Sequence, residues 1–119
     1  MSKAEEFLER IEGTPQDPVR KWITWTFKDI GLPVERVRFY DGRVEVLTKT
    51  FNIKKFNKIM VDYAGEDADP NKTFGLLAQE ELKGSKPKSI SADLDNLSYH
   101  TELVNDDQVQ SVVSFKLEY

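Results

Sequence analysis

Four residues late in the chain, Asp93, Asp95, His100 and Glu102, are of types that do acid–base and metal chemistry. Asp93 and Asp95 lie two apart in a stretch that reads as a strand, an arrangement that points both carboxylates to one face. Such a pair can hold Mg²⁺ or move a proton. On the same alternation Ile90, Ala92 and Leu94 face a core, so the two aspartates face water. His100 is the single imidazole, with Glu102 two residues on to orient it. A nucleophile would still be needed, and none is marked. Upstream, Asp67, Asp69 and Asn71 have the spacing of the first three ligands of a calcium loop. Lys72 stands where that loop needs Gly, and Ala78 where it needs a bidentate Glu. Glu81-Leu82-Lys83 has the Glu-x-Lys spacing of metal-dependent nucleases, but it falls in a predicted helix without a strand aspartate beside it. A small metal-dependent hydrolase built on Asp93, Asp95, His100 and Glu102 is thus an alternative rather than the leading expectation. No resident cofactor or metal is expected.

A second group of residues could make contacts rather than bonds. Trp25 falls outside the apolar stripe of its predicted helix, about 130° from the stripe's centre at 100° per residue, with Lys21 and Lys28 as neighbours. Either an N-terminal segment packs over it or it is an exposed anchor. Tryptophan is enriched among interface hot spots, and beside lysines it can stack a nucleic-acid base. Lys54, Lys55 and Lys58 form a basic face opposite another helix's stripe. A solvated helix face is the plain reading, and a surface for nucleic acid or an acidic partner is the sharper one. Trp25, Lys21, Lys28, Lys54, Lys55 and Lys58 are therefore the candidate partner-binding residues.

Composition narrows the field further. The chain has 119 residues, no cysteine and one histidine. That leaves no disulfide framework, no thiolate metal site and no cysteine nucleophile. The six glycines stand singly, mostly at helix ends and turns, so none is left over for a phosphate-cradling loop. No apolar run is long enough to span a membrane. The charged start Met-Ser-Lys-Ala-Glu-Glu lacks the apolar core of a secretory signal, so a cytoplasmic protein is expected.

The elements that must position these residues are legible in part. The spacing of Ala4, Phe7, Leu8 and Ile11 predicts a helix from Ser2 to Gly13. A second helix has Asp17 as cap, Pro18 as first residue, a stripe of Val19, Trp22, Ile23, Thr26, Phe27 and Ile30, and Gly31 past its end. Asp41-Gly42 predicts a type I′ hairpin over 36–48 in which Tyr40 faces Arg43, Phe39 faces Val44, Arg38 faces Glu45 and Val37 faces Val46. A helix from about Asn52 to Ala64 follows, then an acidic loop over 66–72 and a weaker helix over 73–83, where Gly75 is unfavourable. Residues 89–119 read as a meander of three strands with a turn at 105–108. The sum is a single α+β domain over 1–119, an antiparallel sheet of about five strands covered on one face by three to four helices.

From these features the leading expectation is a small non-catalytic interaction domain: an accessory factor, inhibitor or assembly subunit. Such proteins are common in phages and mobile elements. A protein partner is expected, together with homo-oligomer formation if the C-terminal strand lies at a sheet edge. Nucleic-acid binding through the Lys/Trp face is disfavoured by the net charge of −4. That total hides a split: residues 1–60 carry 12 basic and 9 acidic side chains, whereas 61–119 carry 5 and 12.

Overall fold

The computed structural model describes residues 16–67 and 69–118. The helix expected over 2–13 lies outside the described residues. Helix α1 (Gln16–Asp29) is followed by strands β1 (Val34–Tyr40), β2 (Arg43–Thr48) and β3 (Phe51–Asn52). Helices α2 (Ile53–Ala64) and α3 (Pro70–Ser85) come next, then β4 (Ala92–Asn105) and β5 (Gln108–Leu117). The described residues thus form three helices and a five-stranded antiparallel sheet, the expected α+β class.

The local signals act where the chemistry requires them. Gly31 takes φ 82°, and the amides of Gly31 and Leu32 bond back to Lys28 and Phe27, the paired bonds that close a helix on a left-handed residue. Helix α1 begins at Gln16, so Asp17 sits inside the first turn rather than capping it, where its charge still opposes the helix dipole favourably. Asp41 and Gly42 both take positive φ, and the hairpin register is the one predicted, Tyr40 opposite Arg43 through Val37 opposite Val46. Asn52 caps α2 by accepting the Lys54 amide at 2.9 Å. Asp69 caps α3 by accepting the Asn71 amide, with Pro70 as the first helical residue. The expected acidic loop is therefore shorter, and its third helix starts three residues earlier than the periodicity alone suggests.

β5 is the centre of the sheet. It pairs with β2 and β3 on one side and with β4 on the other. This overturns homo-oligomer formation through the C-terminal strand, because both edges of β5 are already occupied. The meander over 89–119 is also corrected: it holds two strands, not three. A long β4 absorbs both expected segments through a bulge between Asp93 and Ser98, and the fifth strand is the two-residue β3, too short to leave a periodicity. Residues 87–90 form a turn, with the Ile90 amide bonded to the Pro87 carbonyl.

The inner face of the sheet presents Val37, Val44, Val46, Val109, Val113, Phe115 and Leu117 to the helices. Trp22 meets Phe115 edge to face with centroids 5.8 Å apart, and Phe56 packs on Phe74 at 6.0 Å. Each such buried side chain stabilises by about 1.5–3 kcal/mol before entropy is subtracted. α3 packs against α1, α2 and β4, which makes it the keystone of the helical layer. No helix among the described residues is long and apolar enough to cross a membrane.

Candidate functional site

α1 buries Val19, Trp22, Ile23, Thr26 and Phe27, and the helical turn then forces Trp25 outward. Trp25 is 66% exposed, the position the sequence could not decide. The Lys28 ammonium sits 5.9 Å from its ring centroid, a cation–π contact of about 0.5–1 kcal/mol at an exposed site. Beside the ring runs a shallow groove bounded by Pro18, Lys21, Trp22 and Asp29 of α1, by Ser85 at the end of α3 and by Pro87 just beyond it.

The floor of the groove is held by a small hydroxyl network. The Trp22 indole Nε1 donates to Ser85 Oγ at 2.9 Å. Ser85 Oγ and Thr26 Oγ1 lie 2.7 Å apart, and each is also 2.8 Å from a helix carbonyl, Glu81 O and Trp22 O respectively. These contacts tie the last turn of α3 to the middle of α1. They leave the face of the groove apolar and its rim charged. Lys86 and Lys88 flank Pro87 in the sequence but do not line the groove. Lys86 Nζ donates to the Ile90 carbonyl at 2.6 Å, and Lys88 is exposed.

Of the six expected contact residues, the structure brings three together. Lys21 and Trp25 line the groove and Lys28 lies over the Trp25 ring. Lys54, Lys55 and Lys58 are exposed on α2, opposite buried Phe56 and Met60, and do not line this groove.

The acid–base candidates do not converge. The β4 bulge breaks the alternation that would have aligned Asp93 and Asp95. Asp93 accepts the Asn96 side-chain amide at 2.8 Å and its backbone amide at 3.3 Å, and the side-chain bond holds its carboxyl below the usual value. Asp95 pairs with Lys83. His100 Nε2 lies 2.9 Å from Glu102 Oε1, both exposed on the open face of the sheet. Among the described residues no three His, Asp or Glu side chains gather as a metal site would need. Asp69 is spent as a helix cap rather than as a calcium ligand.

Sequence reasoning missed Ser85 and Pro87 as partners of α1, since nothing local links residues 59 or 63 apart. It also missed why Gly75 stands in a helix. A Cβ there would lie 2.4 Å from the Tyr99 ring, so the glycine admits β4's tyrosine against α3. Comparison of the chain with protein-family models, curated protein sequences and solved structures finds no match.

Proposed function

We propose that the protein is a non-catalytic interaction domain that binds an acidic segment of another protein in the groove beside Trp25. One observation carries this reading: a tryptophan 66% exposed at the edge of an apolar groove, with Lys21 and Asp29 in its lining and Lys28 over the indole ring. Exposing that much indole without a partner is unfavourable, and a tryptophan anchor surrounded by charged rim is the usual form of an energetic hot spot. Lys21 and Lys28 would steer an acidic segment and fix its register, while Trp25 and Pro87 would take its apolar anchor. Such a domain serves as an accessory factor, an inhibitor or an assembly subunit, of the kind common in phages and mobile elements and active in the cytoplasm.

Affinity capture from the source cell with wild type, Trp25→Ala and the double variant Lys21→Glu, Lys28→Glu tests the proposal. The same acidic partner should be retained by wild type and lost by both variants. All three side chains are exposed, so stability should fall by no more than about 1 kcal/mol, the size of the lost cation–π contact. Equal capture by all three proteins refutes the groove. Binding of mixed oligonucleotides at about 50 mM salt that weakens steeply as salt rises would favour nucleic acid in place of a protein segment.

A further inference from the structure

The outer edge of β4 is free among the described residues: β4 pairs only with β5. Its regular stretch is short and bracketed, with one irregularity between Asp93 and Ser98 and another between Leu103 and Asn105. Which main-chain groups face outward follows from the ladder. The Leu117 amide bonds to the Gly42 carbonyl and the Glu118 amide to the Ser91 carbonyl, so odd-numbered residues of β5 face β2 and even-numbered ones face β4. Val112 and Gln110 are opposite His100 and Glu102, and Ser114 is opposite Ser98. Those three residues of β4 therefore exchange bonds with β5. The N–H and C=O groups of Tyr99, Thr101 and Leu103 point away from the sheet.

This edge is chemically symmetric about Thr101. Tyr99 and Leu103 flank it at two residues, His100 and Glu102 at one. We infer that β4 pairs antiparallel with β4 of a second copy of this chain, with the two-fold axis at Thr101. In that register Thr101 faces Thr101, and each Tyr99 faces the other copy's Leu103. All three outward residues of each strand then exchange N–H···O=C bonds. On the open face His100 of each copy comes opposite Glu102 of the other, a cross-strand hydrogen-bonding pair that occurs twice. On the helix face Leu103, 66% exposed, covers the Tyr99 ring, 39% exposed. The bulges exclude the neighbouring registers. Centring the axis on Tyr99 drives the partner strand into residues 94–97, and centring it on Leu103 runs it off the end of the hairpin. Between its two irregularities the edge carries no lysine or proline, so the bulges limit the length of the free stretch without closing it to a second strand.

Light scattering over a concentration series into the millimolar range tests the pairing with charge-reversed edges. His100→Glu makes positions 100 and 102 both acidic, and the double change His100→Lys, Glu102→Lys makes both basic. Wild type should show a concentration-dependent rise to twice the monomer mass. Each variant alone should stay monomeric with an unchanged far-ultraviolet dichroism spectrum, since both side chains are exposed. An equimolar mixture of the two variants should recover the dimer. A wild type that is monomeric throughout overturns the inference. So does dimer formation by both variants alone, or a mixture that does not recover it. Trp25→Ala should leave the dimer intact, which separates this edge from the groove.

Discussion

At the scale of single residues, two packed contacts decide more than their sizes suggest. Ser85 is the acceptor for the Trp22 indole N–H, and Trp22 is nearly fully buried. Ser85→Ala removes that acceptor without removing the indole, and a buried donor left unpaired costs about 1–3 kcal/mol. Chemical denaturation should show a loss of that size, with Trp22→Phe, Ser85→Ala recovering part of it because the orphan donor is gone. The second contact is Gly75 against Tyr99. Gly75→Ala should destabilise by about 1–3 kcal/mol through overpacking, although alanine is the better helix former. In a Tyr99→Ala background the same change should stabilise by up to about 1 kcal/mol. A double-mutant cycle reads the reversal directly, and additivity of the two changes would contradict the contact.

At the scale of elements, local signals were legible and long-range ones were not. Asp41-Gly42 dictated the hairpin register because turn geometry alone fixes which residues face each other. Gly31 closed α1 for an equally local reason. The same Asp-Pro signal that marks Pro18 also marks Pro70, but the acidic run 66–72 reads as a solvated loop, which hides the first turn of α3. β3 left no periodicity in two residues, and the β4 bulge interrupted one that looked like two strands. That bulge is held by Asp93 accepting from Asn96, by the Gln79 side chain donating to the Leu94 carbonyl at 2.8 Å, and by Leu94 buried beneath it. Because Asp93 has its carboxyl lowered in the folded chain, its contribution is present above the ordinary carboxylate value and is lost as pH falls through the folded one. Melting curves below about pH 4 should therefore fall more steeply for wild type than for Asp93→Asn. Parallel pH profiles would show that the carboxylate has no part in holding the bulge.

At the scale of the whole molecule, the candidate site was legible as residue types but not as a place. The helical wheel singled out Trp25 with Lys21 and Lys28, and these three do sit together. Lys54, Lys55 and Lys58 look alike in sequence, yet sequence carries no information about which helix faces lie side by side. The other wall of the groove comes from the end of α3, some sixty residues on, and only the tertiary fold supplies it. The sheet similarly moved the free edge from the last strand to β4, which changes where a second copy would add. Groove and edge are separate surfaces built on different elements. A protein with both could assemble through one and recruit through the other.

In the proposed function, recognition runs through Trp25. Calorimetric titration of the captured partner's acidic segment into wild type and into Trp25→Ala measures it most directly. Affinity should fall at least about tenfold on losing the indole, as for an interface hot spot. Equal affinities for the two proteins, with both shown to be folded, would contradict it.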